Sequence, residues 1–230
     1  MTSRVQRLAN DPNLAAKYWK IWESSGAVGT LKTAKKVAFD FIISDDIFQM
    51  AGSHFAKMIK HGLTSSEQLS SASKFLEFVN PNAEKLFNQL TQKVKSETLC
   101  EKDEIVLGKM RIAGMLLSDR QFNVPEPEQS TEEITIDNVT LDKLIPKNCL
   151  EQIANQFIAT TKSGAITDEM VSSNLATLKA IGLDNRFISL IHDAKKRELN
   201  HDEKIEFAKF ILSGIVSSIY ITYFGGLSFS

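Results

Sequence analysis

The sequence has few of the residues and patterns that identify secreted proteins or redox enzymes. It contains only two cysteines, Cys100 and Cys149, and their separation fits neither a metal site nor a redox motif. We therefore expect two reduced, buried thiols in a reducing compartment. The polar N-terminus lacks the apolar segment of a signal peptide, so a cytoplasmic location is predicted, in its own cell or in a host cell.

Catalytic motifs are also missing. No phosphate-binding glycine loop, nucleophile elbow or zinc-protease motif occurs. Asp45-Asp46 resembles the start of an aspartate-rich magnesium motif, but Gln49 stands where a further acid is needed. The Glu-x-x-His spacing of Glu198 and His201 is interrupted by an expected helix start. The sequence predicts no metal, no cofactor and no catalysis, and the alternative is an all-α enzyme with a dispersed active site.

Net charge is nearly absent, at −1, but the charges are unevenly placed. Between Met1 and Gly62 there are nine Lys and Arg against five Asp and Glu, whereas Asp119–Asp142 holds seven acids and a single Arg. This distribution predicts a basic first quarter and an acidic middle.

Only five prolines interrupt the chain, and apolar residues recur at helical spacing almost throughout. The sequence therefore predicts an all-α protein of about ten helices in two packed lobes. The N-terminal lobe is expected over residues 1–122 and the C-terminal lobe over residues 147–230. An acidic, proline-containing connector, residues 123–146, is expected to join them. A weak alternation from Ile134 to Leu141 is too short to predict a sheet.

Several helix boundaries can be read from capping residues. Ser44 is expected to cap a helix that stops at His61-Gly62, and Thr64 with Glu67 is expected to form a capping box. A helix carrying Leu31, Ala34, Val37 and Phe41 is expected before Ser44. Helix ends are also predicted at Gly164 and Gly182, and Asn200 is predicted to open the last helix.

No charged residue occurs from Phe210 to Ser230. An apolar chain end must be buried in its own core, in a neighbouring subunit or in a bilayer. The many small residues, the borderline hydropathy and Gly225-Gly226 disfavour a membrane anchor. We expect a packed helix ending in a short arm, in which Leu227 and Phe229 contact another protomer.

One stretch of the first quarter combines cations with aromatic rings. Phosphates attract cations and unpaired bases stack on aromatic side chains, so this combination is typical of single-stranded nucleic-acid binding. An ordinary solvated cationic face is the alternative. The predicted nucleic-acid-binding residues are Lys17, Trp19, Lys20, Lys32, Lys35 and Lys36.

The expected architecture, with two helical lobes, a connector and docking ends, is similar to that of the small nucleoproteins of segmented negative-strand RNA viruses. The resemblance extends to architecture alone, and the near-neutral charge departs from the basic character of such proteins. The leading hypothesis is a non-enzymatic helical protein that forms homo-oligomers and binds single-stranded nucleic acid. A peripheral or tail-anchored membrane protein, such as a bacterial effector, is the second hypothesis.

Overall fold

The computed structural model describes residues 37–118, 129–163 and 168–224. Within these ranges the protein is all-α, with ten helices and no strand, as the sequence predicts. The helices pack as two lobes that share one continuous apolar core. The domain boundaries expected at residues 122 and 146 stay a prediction.

The N-terminal lobe is formed by the first five helices. Its helix α2 lies along α5, and α3 and α4 pack against each other. The five helices are α1 (Phe39–Ile42), α2 (Asp45–Lys60), α3 (Ser66–Val79), α4 (Pro81–Lys95) and α5 (Glu101–Ser118).

The C-terminal lobe is formed by the other five helices. Its last helix, α10, packs against α7 and α8 and also contacts α2 of the N-terminal lobe. The five helices are α6 (Leu141–Leu144), α7 (Lys147–Lys162), α8 (Asp168–Lys179), α9 (Asp184–Lys196) and α10 (His201–Phe224).

The two lobes repeat the same order of helices. Each begins with a four-residue helix and a 16-residue helix, continues with two helices of intermediate length and ends with its longest helix. This internal repeat is not evident in the sequence, because few residues are identical between the lobes. The identical equivalent positions include Val37 and Val139, Asp40 and Asp142, Phe87 and Phe187, Leu90 and Leu190, Lys109 and Lys209.

The helix boundaries follow the capping chemistry of the sequence. Ser44 occupies the N-cap of α2 as predicted, although its hydroxyl forms no capping hydrogen bond. The capping box before α3 is formed by Ser65 and Gln68, one residue later than the predicted pair. Gly62 and Gly182 end their helices with φ values of 65° and 73°, a conformation that costs other residues more.

One predicted helix is much shorter in the structure. Val37 and Ala38 are not helical, and α1 contains only the four residues after them. The prediction that Val37 and Phe41 lie on the apolar face of this helix was wrong. The residues that α1 buries are Phe39 and Ile42. Residues 31–36 lie outside the described ranges.

Small residues allow the two longest helices of each lobe to cross closely. In the N-terminal lobe, Gly52 of α2 faces Gly108 of α5, and a Cβ atom on either glycine would overlap a backbone carbonyl of the opposite helix. In the C-terminal lobe the equivalent residues are Ala154 and Ala208, both fully buried. Each lobe therefore has the same crossing, with one methyl group more per helix in the second lobe.

The described part of the charge-free C-terminus is a core helix. Phe210, Leu212 and Val216 of α10 are fully buried, which accounts for the absence of charge in this stretch. Among the described residues, no helix has the length and apolar character needed to cross a membrane. The predicted contact residues Leu227 and Phe229 lie outside the described ranges.

Candidate functional site

The lobes are joined where the two short helices meet. The backbone N–H of Leu141, at the start of α6, donates to Asp40 Oδ1 at 3.0 Å. The backbone N–H of Phe39, at the start of α1, donates to Asp142 Oδ2 at 2.9 Å. Each short helix therefore has its N-terminus capped by the aspartate of the other, where a carboxylate also complements the helix dipole.

Two equivalent lysines complete this arrangement. Lys109 of α5 forms an ion pair with Asp40, and Lys209 of α10 forms one with Asp142. Lys109 also donates to the carbonyl of Val139 at 3.2 Å, and Lys209 donates to the carbonyl of Val37 at 2.9 Å. We call Asp40, Lys109, Asp142 and Lys209 the lobe clasp.

The lobe clasp is largely removed from water. The side chains of Lys109 and Lys209 are 11% and 5% exposed, so their charges depend on the partners just described. Each ammonium also lies near an aromatic ring: Lys109 is 5.2 Å from the centroid of Phe48 and Lys209 is 5.5 Å from that of Phe39. These contacts hold the two lobes in one orientation, which is a structural role for the lobe clasp.

Two cations and a histidine lie near the same junction, on α2 and α5. We call His54, Lys57 and Arg111 the junction cluster. The pKa of His54 is lowered first by burial and then by the positive charges of Arg111 and Lys57. Burial raises the pKa of Tyr220 in α10, and the charge of Arg111 opposes that change, so Arg111 is also close to the C-terminal lobe.

Arg111 lies against an aromatic ring of α2. Its guanidinium lies 5.2 Å from the centroid of the Phe55 ring, which holds it over the face of an aromatic group. Within the described residues, no carboxylate forms an ion pair with Arg111. The N–H groups of a guanidinium can form charge-assisted hydrogen bonds with a carboxylate or a phosphate.

Two exposed cations, Lys60 and Arg197, are neutralised within the chain. Lys60 is paired with Glu97 at 2.9 Å, and its hydrogen bond lowers the pKa of that carboxyl. Arg197 donates to Asp193 and Glu203 at 2.8 and 2.7 Å. The run Lys195-Lys196-Arg197 is exposed, and α9 ends before Arg197.

All residues predicted to bind nucleic acid lie in residues 1–36, outside the described ranges. The junction cluster was not predicted as a site. Lys57 counted toward the basic first quarter, but Arg111 is distant in sequence and reaches Lys57 only because α5 packs along α2. To find the junction cluster from the sequence, one would have to know that α2 and α5 pack with Gly52 opposite Gly108.

The two cysteines differ in environment. Cys149 is buried as expected, whereas the expectation for Cys100 was wrong because this residue is exposed in the turn that opens α5. Both are free thiols. In the described part of the chain, no group of three or more His, Cys, Asp or Glu is placed to hold a metal ion.

No family model, no curated protein and no solved structure matches this chain. Its function is therefore argued from the charges and contacts of its own residues.

Proposed function

We propose that this protein is a non-enzymatic, self-associating protein that binds single-stranded nucleic acid at the junction of its two lobes. The observation that carries the proposal is the junction cluster, in which Lys57 and Arg111 place positive charge beside His54 and Arg111 has no acidic partner among the described residues. The basic and aromatic residues 1–36, with seven Lys and Arg against two acids, supply a second contact.

The physical reason is the electrostatics of a phosphate backbone. Neutralising phosphates releases condensed counterions, so affinity falls steeply as salt concentration rises. Arg111 and Lys57 offer phosphate contacts without sequence preference, and Trp19 offers a stacking surface for a base. This combination supports binding to single strands rather than reading of a duplex groove.

Binding of a fluorescent single-stranded oligouridine at several salt concentrations tests the proposal. Replacing Arg111→Gln removes one phosphate contact, so we expect affinity to fall about tenfold at low salt and the salt dependence to become shallower. Lys196→Gln is the matched control, because it removes one exposed cation from α9 and should leave binding unchanged. Equal affinity of the wild-type protein and Arg111→Gln would contradict a site at the junction cluster.

The titration of His54 gives an independent readout. A bound phosphate offsets the positive charge of Arg111 and Lys57, so the pKa of His54 should rise on addition of the oligonucleotide. Two-dimensional NMR of the imidazole follows this change directly. An unchanged His54 with full binding would place the nucleic acid elsewhere on the molecule.

Self-association is tested by size-exclusion chromatography with light scattering, at low and high salt, with and without the oligonucleotide. We expect oligomers whose size depends on protein concentration, and a shift to larger species with RNA. A strict monomer that does not shift on addition of RNA would overturn the nucleoprotein-like function.

A further inference from the structure

A cavity of about 290 Å³ lies beside the lobe clasp, on the C-terminal lobe. Apolar side chains form much of its wall, and three acidic and two basic residues line the rest. Its lining residues include Val37, Thr140, Asp142, Ile145, Lys147, Leu150, Asp202, Ile205, Glu206 and Lys209.

The N-terminal lobe fills the equivalent place differently. Phe48 stands at the position of Leu150, and Val106 stands at the position of Glu206. Phe48 is fully buried with its ring beneath the ammonium of Lys109, and Val106 is 2% exposed. The second lobe has therefore replaced a phenyl ring by a smaller side chain and a buried apolar residue by a carboxylic acid. Both changes occur around one cavity.

Glu206 is not fully satisfied by its neighbours. Its side chain is 7% exposed, and one oxygen, Oε2, accepts two hydrogen bonds from Arg186, at 3.1 and 2.7 Å. Among the described residues the other oxygen, Oε1, is buried without any hydrogen-bond donor. Buried polar atoms nearly always have a partner, so this oxygen indicates a donor that is not part of the described chain.

We propose that this cavity binds an ammonium or guanidinium group carried on an aliphatic stem. The cationic head would donate to Glu206 Oε1, a charge-assisted hydrogen bond that a neutral donor cannot match. Asp202 lies one helical turn before Glu206 on α10, so its exposed carboxylate is on the same side of that helix. The stem would contact the apolar walls formed by Leu150 and Ile205.

The donors already present around the cavity leave one acceptor without a hydrogen bond among the described residues, Oε1 of Glu206. Among the described residues, Lys209 donates to Asp142 and to the carbonyl of Val37 and forms no hydrogen bond with Glu206. Arg186 donates only to Oε2 of the Glu206 carboxylate. Asp202 forms no ion pair among the described residues. A cation entering past Asp202 would meet one uncommitted carboxylate before reaching Oε1.

Two variants of the full-length protein test the site with agmatine and n-pentylamine as probes, by isothermal titration calorimetry. Glu206→Gln keeps the shape but removes the charge, and we expect at least a tenfold loss of affinity. Leu150→Phe introduces the residue of the other lobe and fills the cavity, so binding should disappear while the fold is retained. Glu198→Gln, on the exposed turn before α10, is the matched control and should bind as the wild type does.

The same chemistry could come from a free amine or from a basic side chain of this chain. Lys35 and Lys36 directly precede Val37, which lines the cavity. Tighter amine binding by Lys35→Gln/Lys36→Gln would identify the chain's own lysines as the natural occupant, whereas unchanged binding would identify a free amine. No saturable binding by the wild type or by the double variant, or equal binding by wild type and Glu206→Gln, would overturn the proposal. Circular dichroism of each variant shows whether a lost signal reflects lost folding.

Discussion

The two lobes are built on the same frame but filled in different ways. The N-terminal lobe brings its long helices together at Gly52 and Gly108, whereas the C-terminal lobe separates them by the methyl groups of Ala154 and Ala208. The clasp is the same in both halves: an aspartate, a lysine and a capped short helix. Each contact of the lobe clasp therefore has an equivalent contact made by the other lobe, whereas the packing within each lobe differs.

The surfaces near the junction also differ. The position of Arg111 in the N-terminal lobe corresponds to Ile211, which is 3% exposed in α10. The position of His54 corresponds to Gln156. The N-terminal lobe therefore contributes the cations of the junction cluster, while the C-terminal lobe contributes apolar core and the cavity of Glu206. The two lobes therefore differ in charge and in packing at their shared boundary.

The largest effect is expected from closing the glycine contact. Gly108→Ala places a methyl group against the carbonyl oxygen of Phe48, so α2 and α5 must move apart, and we expect a loss of about 3 kcal/mol in the free energy of unfolding. Gly114→Ala is the control, because open space surrounds that glycine in the same helix, and it should gain about 0.5 kcal/mol. Urea unfolding measures both, and equal effects would contradict the close crossing.

The clasp gives the next effect. Asp142→Asn leaves the ammonium of Lys209 without its carboxylate in a buried position, and we expect a loss of about 3 kcal/mol. Asp40→Asn should cost somewhat less, because the side chain of its partner Lys109 is 11% exposed rather than 5%. Thermal and urea unfolding of both single variants and the double variant test the comparison. An Asp40→Asn variant that is less stable than Asp142→Asn would reverse it.

Acid titration allows two carboxyls to be compared, Asp103 near the start of α5 and Glu203 near the start of α10. The hydrogen bond from Arg197 is the main cause that lowers the pKa of Glu203 to about 2, although burial opposes it. For Asp103, burial acts to raise the pKa, but hydrogen bonds from Lys93 and from the backbone of Cys100 outweigh it, so the pKa is lowered. Both carboxyls therefore stabilise the fold above their ordinary pKa, and this stability is lost as the pH falls toward the lowered value.

Replacing Arg197→Gln should raise the pKa of Glu203 toward 4.5 and make the protein less stable at neutral pH, with a smaller loss on acidification. Lys93→Gln should do the same for Asp103. NMR titration of the two carboxyls with unfolding at pH 3 and pH 6 measures the effects. A pKa of Glu203 that stays near 2 in Arg197→Gln would show that the cap at Asn200, rather than Arg197, determines it.

The smallest effect is expected at His54, which is exposed. Its folded-state pKa lies below 6.5, so the folded protein binds fewer protons than the unfolded chain, and stability falls as the pH decreases from 6.5 through the lowered pKa. His54→Gln introduces the residue of the other lobe, Gln156, and should flatten this part of the stability curve. Unfolding midpoints between pH 5 and pH 7.5 measure it, and an unchanged slope would assign the titration to another group.

The fold class could be predicted because helix signals are local. Gly62, Gly182 and the pairing of Asn200 with Glu203 mark boundaries through their own backbone conformation or hydrogen bonds, and the structure has them where the sequence placed them. The internal repeat could not be seen in the same way. The sequence separation between equivalent residues of the two lobes becomes two residues shorter after α8, as the pair Val37 and Val139 and the pair Lys109 and Lys209 show. Few of the residues between these pairs are identical in the two lobes.

The candidate sites escaped prediction for a related reason. Arg111 and His54 come together only through the packing of two helices, and the cavity of Glu206 depends on which side chain fills a corner of the core. Sequence spacing carries information along one helix but not across the gap between two. The nucleic-acid-binding role of the basic and aromatic residues in the first quarter stays a prediction.

The reciprocal caps have a consequence for the order in which the chain becomes folded during synthesis. The N-terminus of α1 is capped only after Asp142 has been synthesised, and the carbonyl of Val37 gains its hydrogen bond only after Lys209 has been synthesised. The half that leaves the ribosome first therefore lacks these hydrogen-bond partners until almost all of the chain has emerged. We expect the nascent N-terminal half to remain incompletely closed and protease-sensitive at that end. Folding of the molecule would thus finish as one late event rather than lobe by lobe.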